Sequence, residues 1–153
     1  MFLGEYRHTL DSKKRTFLPS KLREKLGSEV VIARGVDKCL TLYTAEGWKK
    51  FEEKIEELPP IRARAVRRWL YGFSGEVTID SQGRIAIPKN LVEYAELTGK
   101  KSDDDKEEKG NVYNIVSVGV GDHVEIWSEQ EYENVINNMS ADQIAAALAE
   151  LGM

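Results

Sequence analysis

Two arginines, Arg15 and Arg84, each stand four residues after an aspartate, Asp11 and Asp80, and four before a proline, Pro19 and Pro88. A guanidinium at that distance from a turn-forming carboxylate has two uses. It can brace the turn by pairing with its own aspartate, or it can reach outwards to an anion. Local charge permits the second use. The formal net charge of −4 opposes binding to a polyanion, yet residues 1–27 carry Arg7, Lys13, Lys14, Arg15, Lys21, Arg23 and Lys25 against only Glu5, Asp11 and Glu24. Residues 62–68 add Arg62, Arg64, Arg67 and Arg68 with no acid among them. Counterion release follows such clusters more than the total.

Catalytic chemistry finds little purchase. The only histidines, His8 and His123, have no second ligand at metal-binding spacing, and His123 reads as a strand-end residue. Cys39, the sole cysteine, excludes an intrachain disulfide; inside Cys39-Leu40-Thr41-Leu42-Tyr43 it reads as a small buried hydrophobe. Gly119-Val120-Gly121 lacks the third glycine of a dinucleotide fingerprint, because residue 124 is valine, and reads as a tight hairpin. The charged run 100–110 has neither the alternating spacing nor the central glycine of a calcium loop and is expected to be an exposed, solvated loop. The expectation is a non-enzyme without metal or cofactor.

Composition, with 41% hydrophobic and 31% charged residues, is that of a folded globular chain. No apolar stretch approaches the roughly 18 residues that a membrane span needs, and residues 1–20 lack a signal-peptide core, so a cytoplasmic location is expected.

The elements that hold the arginines come in duplicate. Asp11-Ser12-Lys13-Lys14-Arg15-Thr16-Phe17-Leu18-Pro19 aligns with Asp80-Ser81-Gln82-Gly83-Arg84-Ile85-Ala86-Ile87-Pro88, with Leu10 matching Ile79 and Leu22 matching Leu91. Gly35 to Tyr43 aligns with Gly119 to Trp127 at a larger offset, because the second copy contains the charged insertion. Asp11 and Asp80 are expected to brace turns by accepting backbone hydrogen bonds, and Gly83 to supply a left-handed residue. Lys14 stands where Gly83 recurs, which predicts a strained or different first turn. Short strands follow at 15–18 and 84–87. Helices come after each proline, capped by Ser20 in the first copy and by an Asn90/Glu93 capping box in the second.

Strands are predicted over 30–33, 40–43, 113–118 and 124–127. Closing helices carry Trp48, Phe51, Ile55 and Leu58 in the first copy, and Tyr132, Val135 and Met139 in the second, the latter begun by a Ser128/Glu131 box. The organisation is therefore a first repeat over 1–58, a connector helix over 59–73, a second repeat over 74–139 and a C-terminal helix over 140–153 capped by Ser140 and Gln143. The connector is predicted to bury Ile61, Ala65, Trp69 and Phe73. Copies of roughly 55 residues are too small to bury a full core alone, so their strands must combine.

The paired motifs, the opening Met1-Phe2-Leu3-Gly4-Glu5-Tyr6, the run Arg34 to Leu40 and the stretch Gly119 to Trp127 resemble the MraZ family, over nearly the whole chain. The resemblance implies a mixed α/β, β-rich fold: a pseudo-twofold, double-split (swapped-hairpin) β-barrel with flanking helices. It also implies a nucleoid-associated transcriptional regulator of the bacterial division and cell-wall gene cluster, binding short direct repeats in promoter DNA as a ring-shaped homo-oligomer. By the same resemblance, Arg15 and Arg84 face DNA, with Lys13 and Lys14 beside the first and Arg7 grouped with them. The rival reading is an oligomeric protein-interaction scaffold, which an apolar connector face free of basic charge would favour.

Overall fold

The computed structural model describes residues 1–99 and 110–153; of the expected loop 100–110, all but the exposed Gly110 lies outside the described residues. The elements run β1 (Glu5–Leu10), β2 (Arg15–Phe17), α1 (Ser20–Leu26), β3 (Glu29–Arg34), β4 (Leu40–Thr44), α2 (Ala45–Glu56), α3 (Pro60–Tyr71), β5 (Gly75–Thr78), β6 (Arg84–Ala86), α4 (Lys89–Tyr94), β7 (Tyr113–Gly119), β8 (Val124–Ser128), α5 (Glu129–Asn137) and α6 (Ala141–Ala149).

Six strands form one antiparallel sheet in the order β1-β7-β8-β4-β3-β5, and β2 pairs with β6 in a separate two-stranded ladder. Exchanging each strand for its repeat partner reproduces the same order read backwards. Each outer strand is seated on the other copy, β1 against β7 from Glu5↔Val118 to Leu10↔Tyr113, and β5 against β3 from Glu29↔Thr78 to Ile32↔Gly75. The core is shared accordingly: Leu10, Leu22, Ile32 and Leu42 from the first copy pack with Ile85, Leu91, Ile115 and Ile126 from the second. All eight are at most 1% exposed, so neither copy encloses a core by itself.

The expected closed barrel is not formed. β1 and β5 are the two edges of an open sheet and do not pair with each other. The chain leaves them at Asp11 and Asp80 through tight turns into β2 and β6, whose three-residue ladder stays separate. Pro19 and Pro88 close each arm of that ribbon, and a proline has no N–H with which to extend a ladder.

Three local expectations also change. Neither Ser20 nor Asn90 caps its helix: the N-caps of α1 and α4 are Pro19 and Pro88, and neither helix has a side-chain cap bond. Proline fixes φ there and starts α1 one residue, and α4 two residues, earlier than the serine or asparagine would. The connector stripe is shifted in phase. α3 buries Ala63 and Leu70, with Val66 packed beside them against Ile55, Trp48, Phe51 and Leu58 of the α2 segment, while Ile61 is 75% exposed. Trp69 turns instead towards Arg34, whose guanidinium lies 4.0 Å from the Trp69 ring centroid and 3.9 Å from that of Phe73, while its Nε donates to the Trp69 carbonyl at 2.9 Å. Other signals hold. Ser128 Oγ accepts from Glu131 N, Ser140 and Gln143 form a reciprocal capping box, and Gly119 to Val124 is the tight β7–β8 hairpin.

Candidate nucleic-acid interface

The two Asp-to-Arg turns have the same hydrogen bonds. Asp11 Oδ1 accepts from Lys13 N and Arg15 N, both at 2.9 Å, and Asp11 Oδ2 accepts from Arg15 Nε at 3.0 Å. Asp80 Oδ1 accepts from Gln82 N and Arg84 N, both at 2.9 Å, and Asp80 Oδ2 from Arg84 Nε at 2.9 Å. Backbone bonds close each turn: Lys14 N donates to Asp11 O and Gly83 N to Asp80 O, both at 3.0 Å. Each turn then grips the opposite arm, because Leu18 N donates to Gly83 O at 3.0 Å and Ile87 N to Lys14 O at 2.9 Å.

These bonds set the acidity of the aspartates. At Asp11, partial desolvation pushes the carboxyl up, but the Arg15 N–H, the Arg15 guanidinium and the Lys13 N–H together hold it below the usual carboxylate range. At Asp80 the Arg84 N–H is the main cause of a lowered value, with the Arg84 side chain and the Gln82 N–H adding to it. Both aspartates are therefore charged at neutral pH and act as fixed anchors.

The first turn is not of another type. Lys14 takes φ 62° and Gly83 φ 86°, so lysine adopts the left-handed conformation that glycine takes in the second copy. The surroundings of the two positions differ. A Cβ at Gly83 would run into the Arg23 guanidinium folded over it, whereas the residue equivalent to Arg23 in the second copy is the shorter Val92. Lys14 Nζ lies 5.5 Å from the Tyr113 ring centroid.

On the ribbon, alternation separates two faces. Thr16 and Ile85 are each 1% exposed and face the core, whereas Phe17 and Ala86 are exposed and share the outer face with Arg15 and Arg84. Pairing puts Arg84 opposite Phe17 and Arg15 opposite Ala86, so the arginines are diagonal neighbours, with the Arg84 guanidinium 5.7 Å from the Phe17 centroid. Each arginine uses only Nε on its aspartate, and neither has another side-chain hydrogen bond among the described residues. The Arg15 and Arg84 side chains are 33% and 22% exposed. Lys13, at the tip of the first turn, is exposed, and its counterpart Gln82 is uncharged. Phe17, 57% exposed, was not singled out from the sequence; the signal was its period-two spacing from Arg15.

Among the described residues, Arg7 has no hydrogen bond or ion pair to this face. It lies on β1, where Nη1 meets Glu133 at 3.0 Å and Glu129 at 3.6 Å, and Nη2 meets Glu5 at 3.2 Å.

Beneath the ribbon lies His8. Thr16 Oγ1 donates to the Thr9 carbonyl at 2.8 Å, which leaves it to accept from His8 Nδ1 at 2.9 Å, and His8 Nε2 accepts from Ser117 Oγ at 2.6 Å. This network assigns the neutral Nδ1–H ring. Burial pushes the His8 pKa below its ordinary value, opposed by the Phe17 backbone. The unfolded chain therefore takes up the proton first. Stability is full above the unfolded value of about 6.5 and falls as pH drops towards the folded value. Thermal melts between about pH 7.5 and pH 5 are expected to show a declining Tm, and His8→Gln to flatten that decline.

The remaining chemical groups are structural. Cys39 is 1% exposed, and burial, together with the Glu125 charge, pushes its thiol up. His123 Nδ1 meets Asp122 at 2.6 Å and its ring stacks on Tyr43. Among the described residues no group of acids, histidines and cysteine is arranged to hold a metal, and no helix is long and apolar enough to cross a membrane.

A family model described as "MraZ protein, putative antitoxin-like" matches residues 1–68 and 71–151. The chain is 40% identical to the transcriptional regulator MraZ of Clostridium tetani over 100% of both chains. It is 41% identical to the protein of that name in Alkaliphilus oremlandii, again over 100% of both, and 43% identical to that of Moorella thermoacetica over 98% of this chain and 95% of the relative. With the family model spanning nearly every residue and such relatives matching end to end, the chain belongs to the MraZ family.

Proposed function

We propose that the chain is a non-catalytic transcriptional regulator that binds promoter DNA through the outer face of the β2/β6 ribbon and works as a homo-oligomer, a ring in which successive copies engage successive short repeats. The observation that carries this reading is the pair of matching turns, each with an aspartate fixing one arginine by Nε on the same exposed face. The relatives' name, transcriptional regulator, supports the class of function.

In this reading Arg15 and Arg84 contact guanine edges or phosphates, and Phe17 supplies apolar contact between them. Lys13 and Lys14 fix register on the phosphates. Arg7 adds the weakest contact, since Glu5, Glu129 and Glu133 already share its charge. One ribbon is a small footprint, and affinity grows when linked copies meet linked repeats. The target is the division and cell-wall gene cluster, and the place of action the cytoplasm, at the nucleoid. The scaffold reading is less well supported, because α3 exposes Arg62, Arg64 and Arg68 where that reading needs an uncharged apolar face.

Titration of the protein against the promoter upstream of its own gene, and against a scrambled duplex, across a salt series tests the proposal. Binding of the promoter should exceed that of the scrambled duplex at every ionic strength, with log K falling linearly in log salt by about 0.9 per phosphate neutralised. Equal affinity for the two duplexes would remove sequence-specific recognition.

A further inference from the structure

The outer face of the β2/β6 ribbon mixes charged and apolar side chains in a fixed order. Leu18 N donates to Gly83 O and Ile87 N to Lys14 O, and in an antiparallel ladder hydrogen-bonded and non-hydrogen-bonded pairs alternate. Phe17–Arg84 and Arg15–Ala86 are therefore the non-hydrogen-bonded pairs, whose side chains stand closest together. The face has two rows, each with one guanidinium and one apolar side chain, and the rows run in opposite senses. Only Phe17 among the apolar members is large. It is 57% exposed, and its ring centroid lies 5.7 Å from the Arg84 guanidinium, close enough for a cation–π attraction that keeps the two groups together.

Groove dimensions decide what such a face can meet. Two strands lie about 4.8 Å apart before their side chains are counted, so the ribbon is too wide for a minor groove of about 6 Å and fits a major groove of about 12 Å. Major-groove base edges offer an arginine the O6 and N7 acceptors of guanine. To a hydrocarbon they offer one group, the C5-methyl of thymine. Against any other base a phenyl ring covers polar atoms without replacing their hydrogen bonds to water. Bases along one strand are about 3.4 Å apart, so the Phe17 ring stands roughly one to two base steps from whatever base the Arg84 guanidinium reads.

We propose that Phe17 reads a thymine methyl, close beside the guanine that Arg84 reads, and that it is the side chain that tells thymine from other bases at that position. The assignment rests on the promoter-binding reading above and adds one named base to it. It also makes the two halves of the ribbon unequal. Ala86, the counterpart of Phe17 beside Arg15, carries a single methyl group and has a shorter reach, so thymine is selected on the Arg84 side alone.

Deoxyuridine in place of thymine removes the C5-methyl and nothing else. Duplexes of the promoter upstream of the gene, each with a different thymine so replaced, are titrated by fluorescence anisotropy with the full chain and with Phe17→Ala at one salt concentration. Replacement of the contacted thymine, close to a guanine, is expected to weaken wild-type binding about fourfold, the effect of one buried methyl group. Phe17→Ala should lose at least as much on the unmodified duplex. Replacing the same thymine should then change nothing further, which is the non-additivity of two groups in contact. The deoxyuridine series on unaltered protein tests the methyl without relying on any variant, and circular dichroism checks that Phe17→Ala is folded. Wild-type binding indifferent to every replacement, or losses that simply add, overturns the methyl contact; a retained margin of promoter over scrambled duplex then leaves the DNA-binding reading standing. A loss in Phe17→Ala that ignores the methyl and abolishes a duplex bend, seen in circular-permutation gel shifts, identifies a ring wedged between base pairs and also overturns the proposal. Equal binding of promoter and scrambled duplexes removes both readings.

Discussion

Alanine at both Arg15 and Arg84 is expected to weaken binding to the upstream promoter by on the order of a hundredfold or more. A well-placed bidentate arginine contributes about 1–3 kcal/mol of discrimination, and about 1.4 kcal/mol is a factor of ten. The turns should outlast the change, because Asp11 and Asp80 keep their backbone N–H partners at positions 13, 15, 82 and 84. Circular dichroism melts and gel-shift titrations separate the two roles of these side chains. If the arginines only brace the turns, Tm falls and affinity for correctly folded protein is unchanged. Lysine in place of both arginines refines the result. It keeps the charge but loses the planar fork, so a retained salt slope with lost preference for the promoter identifies base contacts, while retained preference identifies phosphate contacts.

Lysine at Gly83, the residue that the first copy has at the equivalent Lys14, is expected to destabilise the fold by roughly 1–2 kcal/mol. A left-handed conformation costs a side chain about that much, and the packing part is small, because a Cβ there meets the far end of the flexible Arg23 side chain, which can swing aside. Against a total of about 5–15 kcal/mol for a typical domain, that is a large fraction. Urea unfolding measures it, and adding Arg23→Ala to Gly83→Lys should recover the packing part alone. The converse, Lys14→Gly, relieves backbone strain but gives the unfolded chain more freedom, and should change stability by no more than about 1 kcal/mol. A large loss from Lys14→Gly, or none from Gly83→Lys, would remove this account of the asymmetry.

The duplicated motif made the ribbon legible: aspartate, arginine and proline at one spacing gave both turns, both short strands and the candidate contact residues. What it left out was geometry that several arrangements satisfy. Residues 61, 65, 69 and 73 follow helical spacing as well as 63, 66 and 70 do. The choice between them rests on Arg34, from a distant strand, holding Trp69 and Phe73. Ser20 and Asn90 are good caps by type, yet Ser20 sits one residue and Asn90 two residues past the proline that begins the helix. Sheet closure is a property of strand pairing beyond any local window, and the motif that implied a barrel is compatible with the open sheet plus ribbon. Phe17 was hidden for a simpler reason, since an aromatic in a strand reads as core until its neighbour Thr16 is found to take the buried side.

The seating of β1 on β7 bears on how the chain folds as it is made. Leu10 pairs with Tyr113, so an edge strand synthesised at the start waits for a partner more than a hundred residues downstream. At about 5–20 residues per second, that wait is on the order of 5–20 s. Such non-local pairings give a high contact order and slow folding, and they leave the nascent first half with open backbone edges and half a core. Two nascent chains on one message would offer each other the missing halves. A co-translational exchange of repeats between neighbours is therefore the misfolding route built into this topology.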